Sequence, residues 1–384
     1  MRVTANMTAE LSVYNIQQGR SRIDKITEKL TTYQMINRPS DDPVSSGTLL
    51  DIKEKVTAYD QFNVNITKCK SWLEVTTNGL TGISDILDAA RNLVSGSSSL
   101  SIQDPTQRQV MHDQLIEIKK QLIEMGNVQY GDQYIFGGGN NLVPPFSQKS
   151  GTLTSGISGV TMATTDMAAL KDGMSVSGIG IPAGTFIKNL DTTLGTFDLV
   201  NSSGTLIPAT AGDGATASTL NFFSGDSTQR EVEITTNTRQ AFSTTGDRLL
   251  LGSGDSSLGG VASDPTYGST NILQVMDELL AAVGDSDPAN TGDAVAVSAA
   301  AKKLESASKQ VNAAITINSS RILRVDNMTI LNDINKSTLT TISTSIQNVD
   351  LAKYGMQLNA EQTAFQASLA ATARISSMSL LDYL

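Results

Sequence analysis

The sequence predicts an α+β protein: a long antiparallel coiled-coil rod of helices drawn from both ends of the chain, carrying a β-hairpin region and an inserted small all-β domain. Three observations predict it. Apolar residues recur at gaps of three and four towards both ends, the helical spacing. Between about 147 and 220 that rhythm gives way to short β-branched runs separated by turn residues. Aromatic residues make up only 5% of the 384, a composition suited to long helices and thin β-layers and ill-suited to one large round core.

The first stripe is Ile16, Gly19, Ile23, Ile26, Leu30 and Tyr33, one face of a helix. It stops at Asn37-Arg38-Pro39-Ser40-Asp41-Asp42-Pro43, where two prolines break the helix. Asp42 is placed to cap a new helix with Pro43 in its first turn. The stripe that follows runs Leu49, Ile52, Val56, Tyr59, Phe62, Ile66, Cys69, Leu73, Thr76, Leu80, Ile83, Leu87, Ala90, Val94, with one stammer near Val56–Phe62. A continuous helix over residues 44–95 would be roughly 78 Å long. It cannot bury such a stripe alone and needs partner helices.

Asp104 and Pro105 start a further helix with Met111, Leu115, Ile118, Leu122 and Met125 on its apolar face and Gly131 at its end. It is expected to fold back antiparallel on the rod. The strand candidates are Met174–Ile179, Thr185–Ile187 and Gly195–Val200, with a hairpin near Glu231–Thr235. Helical spacing returns at Ile272–Val283, continues through Leu304, Val311, Ile322, Val325, Leu339 and Ile346, and ends with Phe365 and Leu369 on the way to Leu384. The expected domains are therefore 1–40 with 345–384 as inner terminal helices, 41–146 with 221–344 as the rod, and 147–220 as the inserted outer domain.

Charge and motif content exclude several functions. With 28 Lys+Arg against 38 Asp+Glu, a net charge of -10, and no basic run, the chain lacks the clustered cations that nucleic acid requires. No run of ~18 apolar residues is present, so no membrane span is expected. The segment Met1–Met7 has no signal-peptide core. A single cysteine, Cys69, forms no internal disulfide and reads as a small buried hydrophobe. A single histidine, His112, rules out a His-x-x-x-His zinc pair, and the spacing of Asp285, Asp287 and Asp293 does not fit a calcium loop. Gly137-Gly138-Gly139 and Gly252-Ser253-Gly254 read as loops. No enzyme, cofactor or metal site is expected.

Three motifs resemble the hook-associated protein 3 family of the bacterial flagellum. Thr31–Pro43 is similar to that family's segment after the first helix, including Pro39, Ser40, Asp41, Asp42 and Pro43. Tyr134-Ile135-Phe136-Gly137-Gly138 resembles its turn after the third helix, and Ser379-Leu380-Leu381-Asp382-Tyr383-Leu384 its carboxy-terminal ending. The likeness extends over about residues 1–146 and 221–384. It implies an extracellular structural subunit that joins the hook to the flagellin filament and leaves by flagellar type III export without a cleaved signal peptide. The implied partners are a hook-associated protein on the hook side, flagellin on the filament side, copies of itself in a helical ring, and a cytoplasmic export chaperone at the carboxy-terminal region. The resemblance further implies terminal helices that are disordered in the monomer and fold on assembly.

The physical sense of that behaviour can be read from the residues. Ordering a lone terminus costs ~1–2 kcal/mol of backbone entropy per residue. Aligned neighbours would bury Ile16, Ile23, Ile26, Leu30, Val349, Met356, Phe365, Leu369, Leu380, Leu381 and Leu384, each large side chain contributing ~1.5–3 kcal/mol. Residues 340–384 carry only five charged side chains, a composition suited to packing against copies. Two other functions fit the sequence: a bulk flagellin filament subunit, or an adhesive surface role for 147–220.

Overall fold

The computed structural model describes residues 5–95, 104–182, 184–201, 203–209, 215–252, 270–284 and 292–381. It divides into two compact units, one of residues 1–61 and 330–384 and the other of 62–329.

The first unit contains α1 (Ala5–Thr32), the start of α2 (Pro43–Ser95), the end of α7 (Ala294–Gln347) and α8 (Leu351–Leu381). The helix α1 is shorter than its apolar stripe suggests. Tyr33 lies beyond its end in a left-handed conformation, φ 59°, and is 63% exposed. A residue in that region cannot continue the helix, so Tyr33 turns the chain instead of extending the stripe. Backbone bonds then tie this turn to the α7–α8 junction: Met35 N–H donates to Gln347 O (2.7 Å) and Val349 N–H to Tyr33 O (3.3 Å).

The second unit has a helical body and a barrel. The body comprises the rest of α2 and α7, α3 (Pro105–Gly126), a two-strand hairpin β1 (Gln129–Tyr130) and β2 (Gln133–Tyr134), and a further hairpin β9 (Glu231–Thr235) and β10 (Thr238–Ala241). The short α5 (Gly246–Leu250) and α6 (Ile272–Val283) complete it. Asp104 caps α3 by accepting from Thr106 N–H, and Pro105 occupies the first turn. The expected stop at Gly131 falls elsewhere: α3 ends at Gly126, and Gly131, φ 62°, makes the β1–β2 turn. Gly126 has Phe146 and Leu250 side chains at the distance of a Cβ, so the chain leaves the helix where backbone must meet core.

One core unites Leu80, Ile83 and Leu87 of α2, Leu115 and Leu122 of α3, Leu273, Met276 and Leu279 of α6, and Leu304 and Val311 of α7. A smaller cluster joins Ile66, Cys69 and Leu73 of α2 to Val325 of α7 and Ile234 of β9. From Ile66 to Val94 the apolar stripe of α2 is therefore buried against the other elements of this unit.

The segment 146–223 is a closed six-stranded barrel. Its strands are β3 (Phe146–Thr154), β4 (Gly159–Met162), β5 (Ser175–Ser177), β6 (Thr185–Asp191), β7 (Thr196–Val200) and β8 (Ala215–Phe223), with a four-residue helix α4 (Thr164–Met167). They close in the order β3-β4-β7-β6-β5-β8. Its core is Leu153, Val160, Val176, Ile187, Phe197, Leu199, Leu220 and Phe222. Closure removes open edges, which suits strands this short. Phe146 faces Phe223 across the first and last strands, and both rings belong to the helical core. The barrel leaves and rejoins the body at one point.

Candidate functional site

The terminal helices pair with each other. Gly19 of α1 is buried, and an added Cβ there would lie 3.1 Å from Phe365 Cδ2 of α8. Ile26, seven residues further along α1, is also buried. Arg22 Nε donates to Glu361 Oε2 at 3.1 Å, and Lys29 Nζ sits 5.4 Å over the Tyr354 ring. Both contacts are solvent-accessible and suit register more than strength.

The pair covers only part of its own apolar surface. Ile16, Ile23, Leu30, Val349 and Phe365 are half-buried. Met356 is 69% and Leu369 42% exposed. Leu380 and Leu381 are helical, with side chains beyond description, and Leu384 lies outside the described residues. Other large apolar residues of this unit are also uncovered: Leu11, Val13 and Tyr14 of α1, Val44 and Leu50 of α2, and Ile330, Leu331 and Ile334 of α7. A search for one stripe per helix overlooks these, because they lie off that stripe. The signal that could find them is a terminus with apolar residues on more than one face and few charges.

The Pro39–Pro43 segment is a turn and a cap. Asp41 Oδ2 accepts from the backbone N–H of Asn37 (3.2 Å) and Arg38 (3.0 Å). Asp42 Oδ1 accepts from Val44 and Ser45 N–H, both at 3.1 Å, and its Oδ2 from Ser45 Oγ at 2.6 Å. The Ser45 hydroxyl, then the Ser45 and Val44 amides, hold the Asp42 carboxyl below the usual range. Pro43 is the first residue of α2, while Pro39 and Ser40 are exposed. Both carboxylates spend their acceptor capacity on local backbone, so the arrangement ends one helix and starts the next.

His112 Nδ1 lies 4.0 Å from Asp113, and among the described residues no group of three metal-ligating side chains comes together. Asp293 caps α7 through Val295 and Ala296 N–H, and Asp285 and Asp287 lie outside the described residues. No helix among the described residues is long and apolar enough to cross a membrane.

Residues 3–141 match the family model of the bacterial flagellin N-terminal helical region. Flagellar hook-associated protein 3 of Salmonella typhimurium is 24% identical over 164 residues, which cover 42% of this chain and 51% of that protein. The Escherichia coli protein of the same name is 20% identical over 157 residues, 41% of this chain and 49% of that one. The chain thus spans about half the length of the curated relatives it matches. A solved flagellar hook-associated protein from Vibrio parahaemolyticus overlaps with a TM-score of 0.49 at 19% identity, covering 80% of this chain and 100% of the other. The chain is thus similar to the bacterial flagellin N-terminal helical region over residues 3–141 and to flagellar hook-associated protein 3 over about two-fifths of its length.

Proposed function

We propose that the protein is a structural subunit of the bacterial flagellum, placed at the junction between hook and filament. One observation carries the assembly mechanism: the terminal helices pair, yet leave Met356, Leu11 and Tyr14 more than half exposed. An apolar surface spread along paired helices is covered when subunits stack and their ends share a bundle. Ordering those ends then coincides with addition to the growing tip, which keeps the chain from polymerising before export. Repetition by rotation and rise requires two complementary faces on each copy.

In this reading the hook-side neighbour is another hook-associated protein, the filament-side neighbour is flagellin, and a chaperone shields the carboxy-terminal helix before type III export. The resemblance of Pro39–Pro43 and of the Ser-Leu-Leu-Asp-Tyr-Leu ending to hook-associated protein 3 favours the junction over the bulk filament. Immunogold labelling of intact flagella tests the placement. A single band where filament meets hook is expected; label along the whole filament would assign the chain to the bulk subunit.

A further inference from the structure

A cavity of about 510 Å³ opens in the helical body beside α2, the β1–β2 hairpin tip and the β9–β10 hairpin. Three aromatic residues line it, Trp72, Tyr130 and Phe242, and cations outnumber carboxylates among its charged groups. The Arg230 guanidinium lies over the Trp72 ring at 5.1 Å and the Phe242 ring at 5.2 Å. Its edge donates to Gln133 Oε1, a neutral acceptor, at 3.0 Å. Among the described residues no carboxylate forms an ion pair with Arg230. Lys68 adds a second cation to the lining, and Asp132 is the one carboxylate there.

The Trp72 and Phe242 rings meet edge to face, 85° apart, and the Arg230 guanidinium lies within cation–π reach of both, a site where its fork of N–H donors can take a carboxylate. Trp72 supplies a second, independent sign of an absent acceptor: it is 4% exposed, and its buried Nε1–H finds no partner among the described residues. Buried donors ordinarily have one. The volume falls within the roughly 300–1,000 Å³ of small-group sites, and the apolar wall suits a carboxylate on a hydrocarbon stem better than a hydrated phosphate.

We infer that the cavity framed by Arg230, Trp72, Phe242 and Lys68 binds an acidic side chain on an apolar stem, delivered by a second copy of this chain. Charge argues for the source: the chain carries a net -10, while this lining holds two cations against one carboxylate. One copy's acidic surface therefore complements the next copy's cavity, in a head-to-tail contact. The source rests on the stacking of copies proposed above; the carboxylate chemistry does not.

Trp72 is the only tryptophan in the sequence, so intrinsic emission reports on the cavity. The unassembled full chain is titrated with acetyl-Leu-Glu-amide and with acetyl-Leu-Gln-amide. A saturable emission change with the Glu peptide is expected, at least about tenfold weaker with the Gln peptide and in Arg230→Gln. Lys68→Gln, at an exposed position that leaves the fold untouched, should weaken binding and flatten its salt dependence. No response, or equal response to both peptides, overturns the assignment. In a second arm the protein is concentrated until it associates. The same emission change should appear in the natural chain and not in Arg230→Gln; association without it overturns the second copy as the source. Failure to associate at all would count against stacking, while the peptide titration still decides the chemistry.

Discussion

Gly138 shows how far a single position can be fixed by its surroundings. It adopts φ 64° and a Cβ there would collide with the backbone carbonyl of Asp226. Gly138→Ala is expected to cost about 2 kcal/mol or more, read by urea unfolding. Lys119 and Asp277 form a second fixed point, 2.5 Å apart with side chains 4% exposed, and Asn221 of the barrel donates to the other Asp277 oxygen at 3.0 Å. Burial pushes the Asp277 carboxyl up, and Lys119 opposes that push. Lys119→Met leaves this carboxylate unpaired and should destabilise by ~3–5 kcal/mol, whereas Lys119→Met with Asp277→Leu should recover most of the loss. Burial likewise pushes the Cys69 thiol up to about 11 from its ordinary 9.0. The unfolded chain then ionises first, so the contribution of Cys69 to stability falls as pH rises from 9 towards 11. At pH 8 the native thiol should react with a disulfide reagent far more slowly than the urea-unfolded one; equal rates would contradict its burial. Caps such as Asp42 and Asp104 are legible in the sequence because donor and acceptor lie within three residues. The Lys119–Asp277 pair is not, because 158 residues separate its partners and only the fold brings them together.

At the scale of elements, long periodic helices are the most readable. The apolar run at Ile272–Val283 is α6 residue for residue, and the long stripe through Leu49–Val94 is a single α2 across its stammer. Local signals set these elements. The five-residue α5 is too short to show a period, and α3 stops five residues before Gly131 because core packing at Gly126, not the next glycine, ends it. Strand runs at Ser175–Ser177, Thr185–Asp191 and Thr196–Val200 are visible as β-branched stretches. Their closure into a barrel is not, since β3 pairs with β8 across some seventy residues and nothing local specifies that register. The meeting of Phe146 and Phe223, with Ser224 N–H bonded to Pro145 O at 2.8 Å, makes the barrel separable. A chain lacking 147–222, with a short turn joining the two phenylalanines, should keep its far-ultraviolet helical signal and support motility. Lost surface binding with motility intact would instead reveal an adhesive role for the barrel; loss of helical signal would show that the body needs it.

For the whole molecule, the candidate assembly surface was only partly legible. Phe365 stands out on a helical stripe and packs on Gly19, and Ile26 is buried, whereas Leu11, Val13, Val44 and Leu50 lie off any single stripe and emerge as exposed apolar surface only once the helices are placed. A helix pair of this kind is marginal by itself, because most helical stability comes from burying a face. Hydrogen–deuterium exchange on the purified, unassembled chain and on the assembled protein tests this most directly. Residues 5–32 and 351–381 should exchange rapidly in the isolated chain, while 62–95 and 105–126 stay protected, and both terminal segments should slow markedly on assembly. Strong protection of either terminal helix before assembly would contradict the account.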